Sequence, residues 1–115
     1  MKYMKHKIYL AKFAFVDNPK NSKYRPVVAL TNSCGKNQLT VCAFVSSAVN
    51  NIEEFDILVQ SKDADFEILG LNFDSVIKLS KLQTISKVDF VNEIGVLTDG
   101  LKVLINSNLK QLFEI

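Results

Sequence analysis

The apolar residues of this sequence follow two different periods, and the change between them limits the possible folds more than any other feature. From Lys7 to Ile85 they form short runs, rich in β-branched and aromatic residues, separated by clusters of Asp, Asn, Pro, Ser and Gly. This arrangement predicts strands joined by turns and loops. After Thr98 the period becomes that of one helix face, at Leu101, Ile105, Leu109 and Leu112. We therefore expect a mostly β domain with one C-terminal α-helix, in which the helix covers a small antiparallel barrel on one side.

The runs themselves indicate where the strands lie. The expected strands are Lys7–Phe15, Arg25–Asn32, Leu39–Ser47 and Phe55–Ser61, and Asp74–Ile85 supplies one or two more. The polar segments Val16–Lys23 and Ser33–Gln38 are expected to be a loop and a turn, because Asp, Asn, Pro, Ser and Gly each favour turn geometry. Thr98 or Asp99 is suited to cap the helix, and a short helical turn is expected near Lys87–Asp89. Since no repeat or linker interrupts the chain, residues 1–115 are expected to form a single domain.

Composition excludes several classes of protein. The longest apolar runs, such as Val41–Val45, are far too short to span a bilayer. Lys12 interrupts the basic and then apolar N-terminus, and no small-residue cleavage site follows Phe15, so this segment is interpreted as a strand and not as a targeting signal. Two cysteines without a CxxC motif and a single histidine are too few for a zinc site. We expect a reduced, cytoplasmic protein without a metal site, and the net charge of +2 permits a nucleic-acid partner without requiring one.

The segment "KYRPVVAL" (Lys23–Leu30) places an arginine directly before a proline at the mouth of an expected strand. The residue before a proline is confined to extended conformations, and a guanidinium group matches a phosphate with two parallel hydrogen bonds. Arg25 is therefore a candidate phosphate clamp, and Tyr24 beside it could stack on a base. By spacing alone, an exposed loop arginine that pairs loosely with Asp17 accounts for the same residues. Both interpretations stay open at this level.

Other polar and small residues fall at expected strand ends and turns. Ser46 and Ser47 close the third strand, where two hydroxyls could bind a phosphate or a ribose, or could satisfy backbone groups of a turn. Gly70 and Gly95 have no phosphate-loop context around them and are expected to serve turn geometry.

Several short motifs follow one another in a distinctive order along the chain. Arg25-Pro26 opens the second expected strand after a polar loop, and Ser46-Ser47 closes the third. A Gly-Leu…Asp-Ser-Val segment (Gly70–Val76) then leads to a Thr-Ile pair, and Ile-Gly-Val-Leu (Ile94–Leu97) precedes the terminal helix. In this order, which extends from about Lys7 to Phe113, the chain resembles the MazF/PemK family of toxin endoribonucleases.

The resemblance implies a small, strongly twisted SH3-like barrel, the MazF/PemK/CcdB-like toxin fold, that pairs as a homodimer. It also implies the toxin of a type II toxin–antitoxin system, an endoribonuclease that cleaves single-stranded RNA such as mRNA without a metal or other cofactor. In such toxins the 2′-hydroxyl attacks the adjacent phosphate and leaves a 2′,3′-cyclic phosphate and a 5′-hydroxyl. The implied partners are the RNA and a cognate antitoxin protein whose acidic segment covers the RNA groove.

Position by position, the resemblance assigns catalysis to Arg25 and Ser46. Arg25 matches the family's Arg before Pro and would stabilise negative charge on the phosphate. Ser46 stands where the family generally has Thr, and its hydroxyl would hold a phosphate oxygen. Lys78 stands near the place where some members carry a second catalytic Arg. The expected substrate-binding residues are Asp17, Lys23, Tyr24, Ser47 and Lys78.

The chain also departs from the family pattern. Some members carry an acidic general base two places after the second Arg, and this chain has Ser80 there. Asp17, in the loop before Arg25, is then the best acidic candidate. Ser46 keeps the hydroxyl donor of Thr but lacks the methyl group that restricts its rotation, and Lys78 keeps the charge but not the bidentate fork. Two alternatives to RNA cleavage remain: a CcdB-like barrel that acts by binding a protein, and an inactive member of the family.

Overall fold

The structure is a computed structural model that describes residues 2–13 and 23–115. These residues form six β-strands, two short 3₁₀ turns and a C-terminal helix. The strands are β1 (Lys7–Phe13), β2 (Lys23–Ala29), β3 (Thr40–Ser46), β4 (Ile57–Val59), β5 (Ser75–Ile85) and β6 (Phe90–Val96). The 3₁₀ turns are Phe66–Leu69 and Lys87–Asp89, and the helix α1 is Asp99–Phe113. No helix in this described part of the chain is long and apolar enough to cross a membrane.

The strands form one antiparallel sheet in the order β4-β5-β3-β2-β1-β6. The predicted mostly β fold with a C-terminal helix is confirmed, but the sheet is not closed into a barrel. Strands β4 and β6 are its two edges, and within residues 2–13 and 23–115 they do not pair with each other. Strand β4 has only three residues, and all three pair with β5. The 3₁₀ turn Phe66–Leu69, which follows β4, packs against β6 instead.

Two glycines allow this turn to approach β6 closely. A Cβ atom at Gly70 would overlap the carbonyl oxygen of Ile94, and a Cβ atom at Gly95 would overlap the carbonyl group of Leu69. Gly70 also has a φ of 73°, a left-handed conformation that favours glycine. Both glycines thus serve a backbone-to-backbone contact between distant segments, a more specific role than the turn geometry expected from the sequence.

Apolar side chains cover both faces of the sheet. Successive residues of β2 alternate between two clusters, with Val28 in the cluster under α1 and Val27 in the other. The cluster under α1 contains the expected helical stripe, which is Leu101, Ile105, Leu109 and Leu112. The hydroxyl of Thr98 accepts a hydrogen bond from the backbone N–H of Leu101 at 3.2 Å, which confirms the predicted helix cap.

Most element positions agree with the sequence patterns, and the differences have local causes. Strand β2 begins at Lys23, two residues earlier than expected, and the expected fourth strand is reduced to Ile57–Val59. Strand β6 and the turn Phe66–Leu69 were not predicted. In β6 most side chains are exposed or half-buried, so it lacks the clear apolar alternation of a core strand. Most of the predicted loop Val16–Lys23 lies outside the described residues.

Candidate active site

A groove of about 720 Å³ opens beside the first half of β2 and the end of β3. Its other walls come from the loop after β3, the segment before β5 and the first part of β5. Four side chains predicted from the sequence meet there, namely Arg25, Ser46, Ser47 and Lys78. The groove also contains polar and aromatic side chains that sequence reasoning missed, which are Asn51, Asn72, Phe73, Ser75 and Lys81.

The pairing of β2 explains how Arg25 reaches the groove. In the described ladders, Arg25 lies opposite Ala11 of β1, whereas pairing with β3 begins only at Val27, opposite Phe44. Pro26 lies directly before that point, where one side of the strand is open, so its missing N–H costs no ladder bond with β3. Arg25 is half-buried, belongs to neither core cluster and forms no ion pair with a described carboxylate.

The hydroxyl of Ser46 has the turn-stabilising role that its position suggested. It is the last residue of β3, and its hydroxyl oxygen accepts a hydrogen bond from the backbone N–H of Ala48 at 3.1 Å. This bond supports the turn into the following loop. A hydroxyl that accepts one bond can still donate its proton, and no acceptor for that proton lies among the residues that the structure describes. Ser46 can therefore hold the turn and donate to an anion in the groove at the same time.

Lys78 lines the groove, but its charge is already balanced within the protein. Its ammonium nitrogen lies 2.7 Å from Oδ2 of Asp56, with side-chain exposures of 3% for the lysine and 0% for the aspartate. The same nitrogen donates a hydrogen bond to the backbone carbonyl of Asn51 at 2.9 Å. A buried, paired ammonium of this kind is suited to hold its neighbours in place more than to attract a phosphate.

Asp56 also contacts Ser80, the position at which the family resemblance led us to expect an acidic general base. The backbone N–H and the hydroxyl of Ser80 each lie 3.1 Å from Oδ1 of Asp56, and the N–H of Glu53 donates to Oδ2 at 3.0 Å. Burial opposes ionisation of Asp56, but the hydrogen bonds from Lys78, Glu53 and Ser80, together with the charge of Lys78, lower its pKa overall. A buried carboxylate held in its charged form by these donors is a poor proton acceptor, so Asp56 is not suited to act as the general base.

A bulge in β5 brings a further cation, Lys81, into the groove. Ala43 of β3 lies opposite Leu82 of β5, whereas the next residue, Phe44, lies opposite Lys78. Residues three apart on a regular strand point to opposite faces, but the extra residues in this bulge re-aim the chain, and Lys78 and Lys81 both line the groove. The ammonium of Lys81 lies 5.7 Å from the ring centroid of Phe44 and forms no ion pair with a described carboxylate. A strict two-residue period could not have revealed Lys81.

The remaining predicted residues lie outside the groove or outside the described residues. Tyr24 is 57% exposed on β2, opposite Lys12, and is not part of the groove lining. The backbone of Lys23 pairs with Phe13, whereas its side chain and the whole of Asp17 lie outside the described residues. In the described part of the chain, no three His, Cys, Asp or Glu side chains come together as a metal site requires.

The fold is shared with solved structures of bacterial toxins. The toxin MazF-mt6 of Mycobacterium tuberculosis superposes with a TM-score of 0.71 at 22% sequence identity, covering 95% of this chain and 97% of that one. An endoribonuclease in complex with its cognate antitoxin, from a mycobacterial species, gives a TM-score of 0.70 at 12% identity, covering 97% of this chain and 95% of that one. A further M. tuberculosis toxin gives 0.60 at 22% identity, over 76% of this chain and 90% of that one. The chain thus has the fold of a small toxin.

The sequence leads to the same class. Residues 4–113 match the family of PemK-like, MazF-like toxins of type II toxin–antitoxin systems. The chain therefore belongs to this toxin family, and the resemblance drawn from the order of its motifs is confirmed. No curated protein sequence gave a match.

Proposed function

We propose that this chain is the toxin of a type II toxin–antitoxin pair and acts in the cytoplasm as a metal-independent endoribonuclease on single-stranded RNA. The observation that carries the proposal is the groove, in which Arg25 and Lys81, neither paired with a described carboxylate, lie with the hydroxyl of Ser46. Two cations and a hydroxyl donor suit a phosphodiester, which carries one negative charge per nucleotide. The apolar part of the groove, lined by Leu10, Leu71 and Ile94, suits an unstacked base.

In the proposed reaction, the 2′-oxygen attacks the adjacent phosphorus and the bond from phosphorus to the next nucleotide's 5′-oxygen breaks. The 2′-hydroxyl gives its proton to a base, and the leaving 5′-oxygen takes up a proton. The products are a 2′,3′-cyclic phosphate and a 5′-hydroxyl. Arg25 stabilises the negative charge that builds up on the phosphate, and the hydroxyl of Ser46 donates to one of its oxygens. Asp17 remains the candidate for the base.

We infer that the two groove lysines, Lys78 and Lys81, have different roles. Lys81 binds the RNA backbone, because its charge has no described carboxylate partner. Lys78 instead holds the loop after β3 through its bonds to Asp56 and to the carbonyl of Asn51. Since that loop supplies Ser47 and Asn51 to the groove wall, Lys78 supports the site without touching the phosphate. Lys23 and Tyr24 are proposed to contact RNA further along its path.

We also infer a protein partner and self-association. One similar structure is an endoribonuclease in complex with its cognate antitoxin, and we expect this chain to have an antitoxin whose acidic segment competes with RNA for Arg25 and Lys81. We expect a homodimer. The exposed apolar side chains Val103 and Leu104 of α1 could contact the second copy. Analytical ultracentrifugation of the purified toxin measures the oligomeric state directly.

The decisive experiment incubates the purified protein with a long single-stranded RNA in EDTA and maps the ends of the products. Wild-type protein should leave cyclic phosphate ends. Replacing Arg25, the only arginine of the chain, by alanine should lower the cleavage rate roughly 10²–10³-fold, as does the loss of one positioned charge stabiliser. The melting temperature should not change, because Arg25 is outside both core clusters.

Two control variants make the result specific. Lys36→Ala removes an exposed positive charge outside the groove and should cleave as the wild type does. Arg25→Lys keeps the charge without the bidentate fork, so its cleavage rate should lie between those of the wild type and Arg25→Ala. An Arg25→Ala variant that is folded and still cuts at the wild-type rate contradicts the proposal. If the wild type does not cut RNA either, a toxin that acts by binding a protein becomes the better hypothesis.

A further inference from the structure

We propose that the ring of Phe73 is a stacking platform for one unpaired base of the RNA. The inference rests on the proposed function, because it names the residue that binds a base beside the phosphate held by Arg25. Phe73 is 69% exposed and lines the same groove as Arg25 and Lys81. A phenyl ring offers a flat apolar face to any of the four bases, and stacking of this kind is how proteins hold single-stranded nucleic acids.

The backbone that carries this exposed ring is fixed on both sides. Before it, Leu71 packs against the core cluster under α1. After it, the carboxylate of Asp74 accepts a hydrogen bond from the backbone N–H of Ser61 at 2.7 Å. The buried hydroxyl of Ser75 donates to the carbonyl of Phe73 itself, also at 2.7 Å. The ring is thus held out of the core on an ordered segment, and binding a base costs little additional ordering of the chain.

The surroundings of the ring favour RNA over an apolar partner. A single exposed apolar side chain is common on protein surfaces and needs no ligand. Phe73, however, shares its groove with the cations Arg25 and Lys81 and the amides of Asn51 and Asn72. A nucleotide combines an anionic phosphate, polar base edges and a flat aromatic face, and this groove offers a partner to each. An apolar protein segment would leave the two cations without a counter-charge.

The test uses a short single-stranded RNA that contains the mapped cleavage site with a 2′-deoxy nucleotide at the attacking position, so that it binds without being cut. Fluorescence anisotropy gives its dissociation constant for each variant. Phe73→Ala should weaken binding roughly 5- to 150-fold, which corresponds to the loss of one stacked base. Phe73→Trp should bind at least as tightly as wild type. Phe113→Ala, which removes a ring that is 54% exposed outside the groove, should leave binding unchanged.

A scan with abasic nucleotides separates stacking from a merely structural effect. In the wild type, removing the stacked base should weaken binding strongly at one position of the RNA. In Phe73→Ala that same removal should cost almost nothing, because the ring that it contacted is already absent. With the cleavable RNA, Phe73→Ala should raise KM by a factor similar to the loss of affinity and leave kcat nearly unchanged.

The outcomes for this inference and for the proposed function can be told apart. If RNA is cleaved in an Arg25-dependent way but Phe73→Ala binds it as the wild type does, only the stacking role is overturned. The same holds if the abasic scan is identical in both proteins, or if Phe73→Ala changes the oligomeric state alone, which would make the ring a protein contact. If the wild type neither binds nor cleaves RNA, both proposals are overturned together.

Discussion

Replacing Lys78 by methionine should destabilise the fold strongly, because it leaves the buried carboxylate of Asp56 without its cation. Removing one partner of a buried ion pair costs roughly 3–5 kcal/mol. The lower end applies here, since Asp56 keeps its hydrogen bonds from Ser80 and Glu53 and methionine fills most of the volume of the lysine stem. For a domain of this size, about 3 kcal/mol corresponds to a fall of roughly 12 °C in the melting temperature.

Urea unfolding with linear extrapolation measures this loss of stability, and the pH dependence tests its cause. The pKa of Asp56 is lowered in the folded protein, so its contribution to stability is present above the unfolded pKa of ~3.9 and is lost as the pH falls through the lower folded value. The difference between wild type and Lys78→Met should therefore be largest near neutral pH and should shrink below about pH 4.

Two further variants complete the comparison. Lys36→Met removes an exposed lysine from the turn between β2 and β3 and should change stability by less than about 0.5 kcal/mol. The double variant Lys78→Met/Asp56→Asn has no uncompensated buried charge, so it should be more stable than the sum of the single changes predicts. A Lys78→Met protein as stable as Lys36→Met, or a difference from wild type that is the same at pH 7 and pH 3, would refute the ion-pair reasoning.

Two more predictions concern the close backbone contact and the thiols. Gly95→Ala should lower the free energy of unfolding by roughly 1–3 kcal/mol, because its Cβ would overlap the backbone of Leu69. The control Gly100→Ala, where a Cβ meets open space, should be neutral or slightly stabilising. A Gly95→Ala protein with wild-type stability in urea would contradict the contact. Burial raises the pKa of the Cys42 thiol to about 12. A disulfide reagent at pH 8 should therefore modify the exposed Cys34 quickly and Cys42 only after denaturation. Equal rates of modification of the two thiols in the native protein would show that Cys42 is accessible.

The sequence predicted the elements whose signals are local. The helix could be placed because its apolar stripe repeats on one face and Thr98 supplies a cap. β3 could be placed because its apolar run Val41–Val45 is continuous, and the structure buries this strand nearly throughout. Strand β6 gave no such signal, since its side chains are mostly exposed or half-buried. The expected closed barrel was wrong, because strands β4 and β6 stay at opposite edges of the sheet and the turn Phe66–Leu69 packs against β6 in place of a pairing strand.

The residues of the candidate site also divide into those that the sequence predicted and those that only the fold brings together. Arg25 and Ser46 stand out in the sequence, because a proline constrains one and a strand end presents the other. Their neighbours depend on contacts between distant segments. Asp56 becomes the partner of Lys78 only when β4 and β5 pair, Lys81 enters the groove only through a bulge, and Phe73 becomes a platform only because its backbone is held. A linear pattern records what each residue prefers, whereas these side chains acquire their surroundings from elements that meet only in the folded sheet.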